Sequence, residues 1–428
     1  MEGIIISLAA LVFLAHLFSA LFVKTRMPEV LPLMVLGIIL GPVLNLVTQS
    51  DFGMVDQVFT RILLIVILFE SGLGIKISQI KTTFAQTSKI TLVSFIIVVA
   101  AVTFAAKLIL GLNWIYAVIL GGILADNSFA IIIPLISKLN ISQKIKTVLM
   151  MESTLNGVIA IIVTITLIDM AKINSFAPSM IAAKIIYTFL ISVAVGSAAA
   201  VFWTTVLNKI RKLQNSIFLT IAFVMVVYSV CESLGSDGSI GAFVFGIVAG
   251  NIRIIKKLGW LNFLERYTIS VKGKSFNEVE KSFFSEVVFI LSTFFFVYIG
   301  ISIRITNFYS MLYGLFFTLI IFLARVPAVN YSLDKNVSKL DCMVAAAMTP
   351  KGLVTAVLAS LVAQSGIAGG ALLQDIIYSV IMFSIIFATG LAFLAEKGYA
   401  VKMADLFFKR HANATEEPLP TKPAAEVK

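Results

Sequence analysis

Charge is scarce in this chain: 22 acidic and 33 basic residues among 428, or 13% of the sequence. That is too little polar surface to coat a water-soluble fold of this length. Two cysteines, Cys231 and Cys342, have neither metal-ligand spacing nor a partner framework, so a disulfide scaffold and a thiolate metal centre are both excluded. They read as small packing residues. With only two histidines, His16 and His411, a histidine-rich metal site is excluded as well. Nothing has the form of a phosphate-binding P-loop, which argues against a nucleotide-driven pump, and no filter-like repeat points to a channel. No catalytic residue, cofactor or metal centre is expected, and the chain is not read as an enzyme. What remains is apolar, at 59% of the sequence.

The apolar residues gather into runs of about 20, the length a helix needs to cross roughly 30 Å of hydrocarbon. Runs such as Ile90 to Ala106 and Ile376 to Leu394 are apolar on every face, without the alternation of a membrane β-barrel. The fold class is therefore an all-α polytopic membrane protein. Thirteen spans are read, near residues 3–23, 29–48, 58–75, 89–110, 115–137, 148–169, 179–206, 215–234, 239–255, 284–303, 308–328, 341–363 and 370–395. The first lacks a basic leader and is followed by Lys24 and Arg26, so it is expected to persist as a span rather than to be cleaved.

Basic residues fall on alternate connections. Lys76, Lys81 and Lys89, then Lys138, Lys144 and Lys146, then Lys209, Arg211 and Lys212 mark one side, and the segment from Arg253 to Lys281 holds seven more. By the positive-inside rule that side is cytoplasmic, which puts the N-terminus outside and the C-terminus in the cytoplasm of a multi-pass protein of the cell membrane. The net charge of +11 is then explained by topology, with no nucleic-acid partner. Residues 1–410 form one transmembrane domain, and 411–428, rich in Ala, Pro, Glu and Lys, read as a disordered cytoplasmic tail.

A charge within the bilayer is costly and asks for a partner or a function. Glu70, Asp126, Glu152 and Arg325 are such charges, and Lys351 joins them if the twelfth span is broken. Glu70 precedes the small pair Ser71 and Gly72 and either faces a wet cavity or ends a helix in solvent. Asp126, Asn127 and Ser128 form a polar island between Gly121-Gly122 and Pro134, and Thr349-Pro350-Lys351-Gly352 interrupts the twelfth span. Paired interruptions of this kind expose carbonyls and helix ends, as transporters require near the midplane; the alternative is two simple kinks. Glu152, Ser153 and Asn156 share a helical face, with Gly157 one turn beyond Ser153. Arg325 is the natural counter-ion of Glu152 in a structural pair. His16, alone in the first span, reads as a packed or hydrogen-bonded core residue.

At these residues the chain resembles the NhaP-type sodium/proton exchangers of the monovalent cation:proton antiporter superfamily. The likeness rests on Pro28 to Pro42, Leu68-Phe69-Glu70-Ser71-Gly72-Leu73, Glu152-Ser153-Thr154-Leu155-Asn156, Gly241 to Gly246 with Gly250-Asn251, Ala324-Arg325 and Thr349-Pro350-Lys351-Gly352-Leu353-Val354. The resemblance implies thirteen helices in two inverted repeats, discontinuous fifth and twelfth helices, a homodimer, and exchange of sodium or potassium for protons. By this likeness Glu70 and Ser153 sit at the ion site, Asn127 offers a backbone carbonyl, and Glu152 pairs with Arg325. Pro350, Lys351 and Gly352 form the second helix break. The chain departs from the family's Thr-Asp-Pro, where Asn127-Ser128-Phe129 stands, and from its Asn-Asp, where Asn156-Gly157 stands. The helix-six carboxylate is thus missing, and Glu70 with Asp126 is expected to take its place, Gly157 making room; Ser128 and Asn156 complete the expected ion and proton site. A degenerate relative that senses, assists a partner subunit or carries another small solute is the alternative.

Overall fold

The computed structural model describes residues 30–411 except 76, 138, 174–177, 211–215, 258–275, 304–306, 368 and 398, together with parts of 12–28. Most of the expected first span, much of the basic connection after the ninth and residues 412–428 lie outside the described residues. Regular structure in the rest is helical throughout. The helices follow the expected second to thirteenth spans in order: α1 (Val30–Ile38), α2 (Gly53–Gly74), α3 (Ile77–Leu110), α4 (Trp114–Leu124) and α5 (Phe129–Ser137), α6 (Gln143–Ile173), α7 (Pro178–Ile210), α8 (Ser216–Ser233), α9 (Gly238–Lys257), α10 (Glu278–Ser302), α11 (Phe308–Ser332), α12 (Lys339–Ala347) and α13 (Leu353–Gln364), and α14 (Gly370–Glu396). A short helix, α15 (Ala400–Phe407), follows. Among the described residues, seven helical segments are long and apolar enough to cross a membrane, the fifth span counted as one across its break, and four shorter apolar helices accompany them.

The helix α3 shows how one apolar sequence serves two environments. Ile90, Val98, Val102 and Ala106 are buried against neighbouring helices, while Leu92, Ile96, Phe104 and Leu108 repeat every fourth or eighth residue on the opposite face and are exposed. Leu108 is 83% exposed, an arrangement that suits lipid and would be costly in water. His16 corrects an expectation: it is exposed rather than in the core, its Nδ1 2.9 Å from the Val12 carbonyl and its ring edge-on to Phe289. Both cysteines are buried and free.

Two of the close helix contacts among the described residues are made by facing glycines. A Cβ added at Gly37 of α1 would lie 2.9 Å from the Cα of Gly300 in α10, and one added at Gly72 of α2 would lie 3.1 Å from the Cα of Gly246 in α9. The contact is mutual in each case. Glycine is needed here because helices can approach this closely only where side chains are absent. The Gly72–Gly246 seam lies two residues beyond Glu70, fixing the backbone that carries it.

At the N-terminus of α9, Asp237 is buried and accepts from the backbone N–H groups of Ser239 at 2.7 Å and Ile240 at 3.1 Å. This caps two of the free donors of the helix. Burial pushes its carboxyl up to about 6, against the lowering pull of the Ile240 N–H, and the nearby Glu232 adds to the rise.

Candidate functional site

Both expected interruptions are real breaks, and they face one another. Helix α4 ends after Gly121-Gly122 and Leu124, residues 126–128 are non-helical, and α5 starts at Phe129. In the twelfth span, α12 stops at Ala347 and α13 begins at Leu353, leaving 348–352 non-helical around Pro350. The backbone N–H of Ser128 donates to the carbonyl of Pro350 at 2.8 Å, tying the two breaks together. Gly352 is required at this contact, since a Cβ there would lie 2.5 Å from Cβ of Ser128.

Helix ends inside a membrane leave backbone groups unpaired, and side chains must answer them. Lys351 does so. Its buried Nζ donates to the backbone carbonyl of Asp126 at 2.5 Å and to Oδ1 of Asn127 at 3.0 Å, while its own N–H donates to Oγ of Ser384 at 2.9 Å. The amine thus fills the C-terminal side of the α4 break, where the helix dipole is negative. Asn127 contributes its side-chain oxygen to this contact.

The Asp126 side chain turns the other way. Its Oδ2 accepts from Oγ1 of Thr355 in the first turn of α13 at 2.8 Å. Its Oδ1 lies 3.3 Å from where a Cβ would stand at Gly157 of α6, so the carboxylate borders the space that a side chain at 157 would take. Glu70 is half-buried near the end of α2, with Oε1 accepting from Oγ of Ser285 at 2.7 Å.

A cavity of about 430 Å³ joins these groups. Glu70, Asp126, Asn127, Ser128, Ser153 and Gly157 all line it. Much of the remaining wall comes from α10, where Ser285, Phe289, Ser292 and Phe296 recur at intervals of three to four residues and so present one helical face. Two carboxylates and several hydroxyls around an otherwise apolar chamber can hold a small cation or a proton and have few other partners to offer it. Among the described residues, no group of three or more His, Cys, Asp or Glu side chains is placed to hold a metal ion.

Glu152 and Arg325 stand apart from this chamber. Each side chain is 1% exposed, and the guanidinium meets the carboxylate two-pronged, Nη1 on Oε1 and Nη2 on Oε2 at 2.6 Å. Nε of Arg325 donates to the Ala345 carbonyl at 3.3 Å, so the pair also holds the end of α12. Asn156 donates to Glu152 at 3.3 Å and does not line the cavity, and its Oδ1 has no partner among the described residues. Ser153 bonds back to the Met150 carbonyl at 2.9 Å. Sequence reasoning missed Thr355, Ser285 and Ser384. Thr355 had a faint signal, a hydroxyl three residues after the break at Gly352; Ser285 and Ser384 had none, because their partners are more than 30 residues away.

Residues 8–397 match the model of the family described as sodium/hydrogen exchanger, transmembrane. The fold is similar to that of the sodium proton antiporter MjNhaP1 from Methanocaldococcus jannaschii at pH 8, with a TM-score of 0.73 and 21% identity, covering 91% of this chain and all of that one. In sequence, the chain is 23% identical over 197 residues to the K(+)/H(+) antiporter NhaP of Alkalimonas amylolytica, covering 45% of this chain and 34% of the relative. It is 22% identical over 292 residues to the low-affinity Na(+)/H(+) antiporter NhaS1 of Synechocystis, covering 68% of this chain and 53% of that protein. The matches thus span about half or less of these curated relatives' length.

Proposed function

Because the chain belongs to the sodium/hydrogen exchanger transmembrane family, we propose that it is a secondary antiporter exchanging a monovalent cation, sodium or potassium, for protons. The observation that carries this reading is the single cavity lined by both Glu70 and Asp126. A carboxylate cannot hold a proton and a cation together, so the two compete for one site and their fluxes become coupled. Asp126, lying over Gly157, supplies the charge that the family places on the sixth helix. Glu70 faces it across the chamber, and the hydroxyls of Ser128 and Ser153 with the backbone carbonyl of Asn127 replace part of an ion's hydration shell. Lys351 makes its hydrogen bonds to the backbone carbonyl of Asp126 and the side chain of Asn127 rather than to the Asp126 carboxylate.

Glu152 and Arg325 are a structural pair in this reading, anchoring α12 to α6 through α11. Asn156 supports the pair rather than the ion. Placement in the cell membrane, a cytoplasmic C-terminus, the inverted repeats and a homodimer belong to the same proposal, supported by the distribution of basic residues and by the family.

The test is proton flux in proteoliposomes on adding sodium, potassium or lithium in turn. Cation-dependent flux in the wild type, lost in both Glu70→Gln and Asp126→Asn, is expected. No flux with any cation, from folded protein across a broad pH range, would refute the exchanger and favour the degenerate relative.

A further inference from the structure

The hydroxyl of Thr355 touches the Asp126 carboxylate itself and has no place in the exchange scheme. It reaches Oδ2 of Asp126 at 2.8 Å and is itself fully buried. From this geometry we propose that Thr355 is a positioning residue that sets the pH at which Asp126 exchanges its proton for a cation. The inference rests on the exchanger reading of the same cavity and adds to it the residue that tunes the competition.

Three features carry it. A hydroxyl that donates to a carboxylate favours the ionised form over the protonated one, because only the former accepts the bond at full strength. Thr355 lies in the first turn of α13, whose N-terminal end is the positive end of the half-helix dipole and acts in the same direction. The bond also joins the fifth-span break to α13, holding Oδ2 of Asp126 while Oδ1 faces Gly157.

Other charges face Asp126 from the elements around it. Lys351, preceding α13, favours the carboxylate, and Glu70 of α2 across the cavity opposes it. The Glu152–Arg325 pair of α6 and α11 is internally neutral. None of these is altered by replacing Thr355, so the effect of the hydroxyl can be isolated.

The experiment compares Thr355→Val, which keeps the shape and loses the donor, with Thr355→Ser, which keeps the donor. Two readouts are taken against pH: cation-dependent proton flux in proteoliposomes, and thermal stabilisation of the purified protein by sodium, potassium or lithium. In Thr355→Val both profiles should move to higher pH by about one unit, the weight of a hydrogen bond to a charged group. At a fixed pH below the midpoint, the apparent KM for the cation should rise with little change in the maximal rate, and Thr355→Ser should follow the wild type. A Thr355→Val profile that lies on the wild-type curve, or a Thr355→Ser profile that shifts with it, overturns the role of Thr355 and leaves the exchanger standing. A wild type showing neither flux nor cation stabilisation overturns both.

Discussion

Putting an acid back on the sixth helix is the sharpest perturbation the site allows. In Gly157→Asp the new Cβ would stand 3.3 Å from Oδ1 of Asp126, closer than ordinary contact, and its carboxylate would come within about 4 Å of the one already there. Two unit charges at about 4 Å repel by about 4 kcal/mol at an effective dielectric constant near 20. That corresponds to about three pH units on the second ionisation. Added to an ordinary carboxylate value of about 4, that places the second ionisation at about 7, so at about pH 6 the pair holds one proton nearly all the time, and a site holding a trapped proton cannot trade it for a cation. Cation-dependent proton flux at about pH 6 is expected to fall about tenfold in Gly157→Asp. It should recover when the same chain also carries Asp126→Asn, since one carboxylate then occupies the gap from the other side. Flux is measured in proteoliposomes at matched protein content, with a melting curve to establish folding. Wild-type flux in Gly157→Asp would refute the claim that the two positions share one space. An inactive but folded double variant would refute the claim that the space, rather than the residue number, is what the exchange requires.

Removing one member of the Glu152–Arg325 pair should cost about 3–5 kcal/mol, because the survivor is left charged and buried. Glu152→Gln and Arg325→Gln are therefore expected to melt well below the wild type in detergent, and Glu152→Leu with Arg325→Met to regain most of the loss; independent, additive losses would show that the two charges do not depend on each other. Asp237 gives stability a pH dependence. Its folded pKa of about 6 exceeds the ordinary 3.8, so between those values the folded protein holds a proton the unfolded chain has released. Stability should fall by about 3 kcal/mol as pH rises through that window and stay low above it, while Asp237→Asn, which keeps the capping oxygen, should flatten the curve.

The spans were legible because a bilayer imposes a length on apolar runs, and that length is visible without any knowledge of contacts. Boundaries were less so. Helix α3 starts at Ile77 where the sequence suggested 89, since Lys81 and Lys89 read as loop charges although a helix can carry them beyond the membrane. The two breaks were legible from Gly, Pro and polar residues crowded into apolar segments. What each broken end touches was not. Lys351 reads in the sequence as a charge in need of a partner, but its acceptors are a backbone carbonyl and an amide more than 220 residues away. The vacancy at Gly157 could be named from the sequence; that Asp126 leans over it from the break in the fifth span is a fact of packing.

The glycine seams bear on genetics. When a large residue intrudes on a neighbour, evolution or a screen can answer by trimming the neighbour. At Gly37 and Gly300, or Gly72 and Gly246, that remedy is absent, because each glycine faces another that has no side chain to give up. A selection for revertants of Gly72→Ala would find nothing at position 246 and would have to return to 72 itself or loosen the helices elsewhere. Such pairs can therefore drift apart only together with the helices that carry them.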